Sequence, residues 1–184
     1  MKHLITPLFI LASFILAGCG PSVPVWQPTT QFPLLNSDGS VSEKIENSIS
    51  ITGVPDNVEI LVLNFFAPHC PPCIAELPEL KEISKIIDSR EKVAFYAIGS
   101  TLTSVNNPTP PSKEQIVKEL LEFIELYKID YPVYLAESNK LQDFGITGFP
   151  ETIILYRNEE RKWYIKRKYV SSINLGNVLD FIKL

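Results

Sequence analysis

Two stretches of the chain are apolar almost without a break. The first runs from Leu4 to about Ala17. The second, "VEILVLNFFA" from Val58 to Ala67, reads as a central strand covered on both faces, because a half-exposed strand would alternate. From Cys70 to about Ser89 the period changes: Ile74, Leu77, Leu80, Ile83, Ile86 and Ile87 recur at helical spacing. Pro78 falls inside that helix and is expected to kink it. "KVAFYAIGS" predicts another buried strand. Ser112 to Gln115 fits a capping box that opens a helix with Ile116, Leu120, Phe123, Ile124 and Tyr127 on its buried side. Then come a short strand in "YPVYLA", a short helix in "SNKLQDFGI" closed by Gly145, and a hairpin of "TIILYR" and "KWYIKRKYV" around Asn158 to Arg161. "INLGNVLDFIKL" is the terminal helix. Ahead of all these, "FPLLNSDGSVS" predicts a strand, a turn at Asn36 to Gly39 and a second short strand. Strands alternating with helices imply an α/β fold on a parallel sheet, to which the late hairpin adds an antiparallel edge.

The first apolar stretch changes the picture of where this domain works. "MKHLITPLFILASFILAGC" has a short positive start, about 14 apolar residues and small residues before Cys19. That is short for a membrane span, which takes ~20 residues, and suits a secretory leader. Leu16-Ala17-Gly18-Cys19 resembles a bacterial lipobox, which implies cleavage before Cys19 and a diacylglycerol on its sulfur. An ordinary signal peptide and an uncleaved anchor helix are the alternatives. The expected organisation is a leader at 1–18, a Pro-rich tether at 19–31 and one folded domain at 32–184. Gly20, not Asp, follows Cys19, so an organism with two membranes would be expected to sort the protein to the outer one.

Composition narrows the function classes. The 184 residues carry a net charge of -4, and their 17 Lys and Arg are dispersed. A nucleic-acid partner would want a concentrated basic face, so none is expected. The late cluster Arg157, Arg161, Lys162, Lys166, Arg167 and Lys168 reads more simply as the exposed face of a hairpin than as a contact with anionic lipid.

Of three cysteines, lipidation would consume Cys19. Cys70 and Cys73 then remain in an oxidising compartment, where such a pair forms a bridge or cycles through one. Cys70 stands where a buried strand ends and a helix begins. Backbone N–H groups and the helix dipole favour a thiolate there. Cys73, one turn on, lies on the same face and can attack a mixed disulfide at Cys70. Pro71 and Pro72 suit the first helical positions, whose N–H groups have no partner within the helix. A structural zinc site takes four ligands. With one histidine, His69, after the leader and no second CxxC, no metal is expected. An inert structural disulfide is the bland alternative.

"LNFFAPHCPPCIAELP", together with "GFPETIIL", resembles the thioredoxin superfamily, specifically its membrane-tethered TlpA/ResA-like branch of thiol–disulfide oxidoreductases. The similarity spans roughly Phe32 to Leu184. It implies a thioredoxin-like fold, a central mixed sheet flanked by helices with a small N-terminal β-hairpin extension. It implies that Pro150 is a cis-proline facing the cysteines and that the backbone of Phe149 pairs with a substrate polypeptide. Glu76 matches a helix glutamate of that branch, thought to tune or accept protons at the buried cysteine; a solvated helix residue is the other reading. Asn64 stands where thioredoxin itself carries a buried aspartate.

The departures from that pattern are His69 for a tryptophan, Glu151 for a threonine after Pro150, and the Pro71-Pro72 pair. His69 could support the Cys70 thiolate as an imidazolium or merely face solvent. Glu151 puts the polarity of the substrate groove in question. Two prolines remove two N–H donors from the thiolate, which is expected to make the couple more reducing.

The resemblance implies an enzyme without a cofactor beyond its own disulfide. It acts on protein thiols and disulfides as a reductase, as in cytochrome c maturation, and is regenerated by a membrane reductant. It is held on the bilayer through Cys19 and is expected to be a monomer. A disulfide oxidase or isomerase, or a non-catalytic carrier of a partner or Cu(I), stays open. The Pro-rich loop from Thr101 to Pro111 should leave the carboxyl end of its strand on the same edge as Cys70, a candidate place for partner recognition.

Overall fold

The computed structural model describes residues 32–33, 35–40, 48–49, 54–101, 111–136, 141 and 144–182. The leader, Cys19, the tether, most of the Thr101–Pro111 loop and most of the short helix before Gly145 lie outside them. Two minimal strands, β1 (Phe32–Pro33) and β2 (Ser48–Ile49), pair antiparallel. Then follow β3 (Ile60–Phe66), α1 (Pro71–Asp88), β4 (Val93–Gly99), α2 (Lys113–Tyr127), β5 (Val133–Leu135), β6 (Glu151–Arg157), β7 (Trp163–Tyr169) and α3 (Leu175–Ile182). The five-stranded sheet has the order β5-β4-β3-β6-β7. Its first three strands are parallel, and β6 and β7 run antiparallel to their neighbours.

Every residue of β3 is buried, as its unbroken apolar run predicts. One face of the sheet packs Ile60, Val62 and Phe66 against Leu77, Leu80 and Ile83 of α1, Leu120 and Phe123 of α2, and Val178 and Ile182 of α3. The other buries Leu61, Leu63, Phe65, Ile153 and Leu155 with Val54, Val58, Leu141, Phe144 and Trp163. No helix among the described residues is long and apolar enough to cross a membrane.

The N-terminal turn forms as expected: Asn36 N–H donates to Ser40 O at 2.9 Å and Gly39 N–H to Asn36 O at 3.0 Å. Ser48–Ile49 lies opposite β1; residues 41–43, where a second short strand is expected, lie outside the described residues. Leu35 N–H bonds Val133 O at 3.0 Å, so the N-terminal segment covers the outer edge of β5. In α2, Ser112 Oγ accepts from Gln115 N–H at 3.2 Å, but the Gln115 side chain turns to Glu119 at 3.0 Å, so half of the capping box is made. Helix α1 continues through Pro78.

Two members of the basic cluster make inward contacts. Arg157 is buried, its Nη1 and Nη2 donating to Pro55 O at 3.0 Å and Val54 O at 3.1 Å, with its guanidinium 4.2 Å above the Trp163 ring. Lys168 pairs with Glu151. A buried polar group needs partners that a surface residue takes from water; Arg157 finds them in backbone carbonyls, and the half-buried Lys168 supplies one to the buried Glu151.

Packing is tightest where α2 crosses the end of β4. A Cβ on Gly99 would stand 2.5 Å from Leu120 Cδ2 and 3.1 Å from Phe66 Cζ. Both neighbours are buried core residues, so their side chains would have to shift within the core. Gly99→Ala is therefore expected to cost about 1–3 kcal/mol through overpacking, read as a lower urea midpoint with an unchanged m-value.

Candidate active site

The junction between β3 and α1 lies at the carboxyl end of the parallel strands. His69 turns the chain with a left-handed backbone, φ 60°, and Cys70 is the N-cap of α1. Pro71 and Pro72 occupy the first two helical positions, so Cys73 supplies the first N–H of the helix, 3.4 Å from Cys70 Sγ. Cys70 and Cys73 form a disulfide with their Cα atoms 5.2 Å apart. Both are nearly covered, at 3% and 1% exposed, Cys73 the deeper.

Across from the pair, the Phe149–Pro150 peptide is cis. The carbonyl oxygen of Phe149 lies 3.6 Å from Cys70 Sγ. The oxidised sulfur has no proton to donate, so this is a contact in the disulfide form.

Three residues after Cys73, Glu76 is 2% exposed, which removes the solvated reading. Its Oε1 accepts from Asn64 Nδ2 at 3.1 Å and its Oε2 from Ile173 N–H at 3.0 Å. Burial pushes its pKa up to about 7, against the smaller opposing pull of these two hydrogen bonds. Asn64, fully buried in β3, also donates to Thr152 Oγ1 at 3.0 Å, and its Oδ1 has no partner. The amide orientation is a choice of which end faces which neighbour. Turned over, Asn64 Oδ1 would accept from Thr152 and from a protonated Glu76, and Nδ2 would take the position that has no partner. His69 is exposed and has no hydrogen bond or ion pair among the described residues.

Glu151 does not open into a groove. It is fully buried at the start of β6, where Oε1 accepts from Thr147 N–H at 2.9 Å, from the Thr147 hydroxyl and from Gly148 N–H at 3.1 Å. Oε2 pairs with Lys168 Nζ at 2.7 Å. Burial alone would raise its pKa, but the hydrogen bonds from Lys168 and Thr147 outweigh that and hold it below the usual carboxylate value. Its place in the sequence carried one signal, a lone charge heading the apolar run "TIIL". The partner, Lys168, stands opposite Ile153, two residues along and therefore on the same face of the strand, in the β6–β7 register.

No protein-family model matches the chain. Among curated proteins, thioredoxin-like protein YneN of Bacillus subtilis (strain 168) is 26% identical over 95 residues. That match covers 52% of this chain and 49% of YneN, so it spans about half the relative's length. Solved structures align far more of the fold. StoA from Bacillus subtilis superposes with a TM-score of 0.56 at 21% identity, covering 87% of this chain and 100% of that one. The fold is thioredoxin-like. The pneumococcal exposed lipoprotein thioredoxin of Streptococcus pneumoniae strain TIGR4 gives a TM-score of 0.56 at 19% identity, over 84% of this chain and 98% of that chain. A thiol:disulfide interchange protein of the thioredoxin family from Chlorobium tepidum TLS gives 0.54 at 20%, over 84% and 94%. Within this thioredoxin-like fold the disulfide, the cis-proline and the buried Glu76–Asn64 pair occupy one end of the sheet.

Proposed function

We propose that the chain is a cell-envelope thiol–disulfide oxidoreductase that reduces protein disulfides through Cys70 and Cys73. The observation that carries the reading is a disulfide at a helix N-terminus, set against the carbonyl that precedes a cis-proline. The names of the structural neighbours, a thiol:disulfide interchange protein and an exposed lipoprotein thioredoxin among them, support the same class of reaction and an exported setting.

In the reduced protein the Cys70 thiolate attacks one sulfur of a substrate disulfide. The substrate's S–S bond breaks, a Cys70–substrate bond forms, and the other substrate sulfur leaves as a thiolate and takes a proton. Deprotonated Cys73 then attacks Cys70 Sγ. The second substrate thiol is released and the Cys70–Cys73 bond forms, so two electrons pass to the substrate. In this reading Glu76, one helical turn from Cys73, takes the proton that Cys73 must lose. A membrane dithiol returns the two electrons. Cys19, lipidated after removal of residues 1–18, holds a monomeric domain at the membrane surface, the outer membrane where there are two.

The reduction potential of the full chain, equilibrated with dithiothreitol or glutathione, tests the direction. A reductase is expected near thioredoxin's value of about -270 mV, and Pro71→Gly is expected to raise it by restoring an N–H donor to the thiolate. A wild-type value near about -120 mV would make the protein a disulfide donor instead.

A further inference from the structure

The ion pair of Glu151 and Lys168 grips the segment that leads into the cis-proline. Glu151 Oε1 collects both N–H groups and the hydroxyl of Thr147 and Gly148. Lys168 Nζ, besides pairing with Oε2, donates to Gly145 O at 2.5 Å. Between them the two side chains hold backbone atoms of Gly145, Thr147 and Gly148, the residues just before Phe149. Among the described residues, the only backbone–backbone hydrogen bond of that segment outside the strands is Ile146 N–H to Leu141 O, at 3.2 Å. Two of its four residues are glycines, and a Cβ on either would meet nothing within 4 Å. Side-chain packing therefore does little to fix those two positions; Glu151 holds Gly148 and Lys168 holds Gly145.

Stability is a weak reason for such a pair. Taking even one partner of an ion pair out of water, as here with Glu151, often gains nothing over apolar residues of the same size, and the best-attested value of such a pair is in specifying one geometry. The geometry specified here is that of Phe149, whose carbonyl oxygen lies 3.6 Å from Cys70 Sγ.

We propose that Glu151 is a positioning residue, which fixes the backbone before Pro150 so that a substrate polypeptide can lie along Phe149 with its disulfide at Cys70. This rests on the oxidoreductase reading above. A small disulfide needs the cysteines alone, whereas an extended polypeptide also needs the loop. The two kinds of substrate should part company when the loop loses its anchor.

The test uses the full chain with dithiothreitol as electron source and two probes, insulin and glutathione disulfide. Glu151→Ala is expected to raise KM for insulin on the order of tenfold with little change in kcat, since small misplacements at a reacting centre cost this much or more. The insulin-to-glutathione rate ratio is expected to fall by a similar factor. Glu151→Gln keeps an acceptor oxygen for Thr147 and Gly148 and should recover most of the loss. Thermal melts of both variants establish that the assayed protein is folded. Rates on the two probes that fall in parallel, a folded Glu151→Ala with no loss on insulin, or a Gln variant as impaired as the Ala one would each overturn the proposal. A wild-type chain that reduces neither probe would remove the oxidoreductase reading itself, an outcome read before any variant is made.

Discussion

Serine at Cys70 is expected to abolish disulfide exchange, while serine at Cys73 should leave a chain caught on its substrate. The asymmetry follows from where the two sulfurs sit. Cys70 is the N-cap, receives the Cys73 N–H at 3.4 Å and touches the Phe149 carbonyl where a polypeptide would lie. Cys73 is deeper in the helix and almost wholly covered. A serine hydroxyl is a far poorer nucleophile than a thiolate toward sulfur, so Cys70→Ser should lower insulin reduction at least about a thousandfold, to background. Cys73→Ser still lets Cys70 attack but supplies nothing to resolve the mixed disulfide. Mass spectrometry without reductant should then find one substrate cysteine added to Cys70. An adduct that forms on Cys73 of the Cys70→Ser variant instead would reverse the two roles.

The second large effect lies on stability and concerns Glu76. Its carboxyl is pushed up to about 7 in the oxidised fold, against 4.5 for an ordinary glutamate. Between those two values the native state keeps a proton that the unfolded chain has released. Stability must then fall as pH rises through that window and level off above about pH 7. The whole drop should be roughly 2–4 kcal/mol for a shift of this size. Glu76→Gln presents an uncharged group of the same shape to Asn64 and Ile173 and has no proton to lose. Urea unfolding at pH 5 and pH 8 should show the drop in the wild type and its near disappearance in Glu76→Gln. Equal slopes in the two proteins would mean that Glu76 is ionised across the whole range.

Much of this was legible in the sequence wherever the signal is local. The apolar run of β3, the helical period of α1 and the two-residue spacing of the cysteines are all contained in a few dozen neighbouring residues. Glu76 was half legible: Cys73, Glu76, Leu77, Leu80, Ile83, Ser84 and Ile87 form the buried stripe of α1, and a glutamate in that stripe has to be covered. The rest depends on contacts that no window along the chain contains. A lysine in β7 does not announce that it will neutralise a glutamate 17 positions earlier; only the register of the two strands brings them together. Arg157 looked like a surface charge because its partners are backbone carbonyls about a hundred residues away, and carbonyls leave no mark on sequence.

Strand β6 has a buried charge at each end, Glu151 at its first residue and Arg157 at its last. At the usual rise of a strand they are about 20 Å apart. The anion serves the loop beside the cysteines, and the cation ties down Val54 and Pro55 at the far end. Groups so far apart with no shared partner contribute nearly independently. A single seven-residue segment therefore lets selection adjust the chemistry from one end and the durability of the fold from the other, without trading either against its opposite.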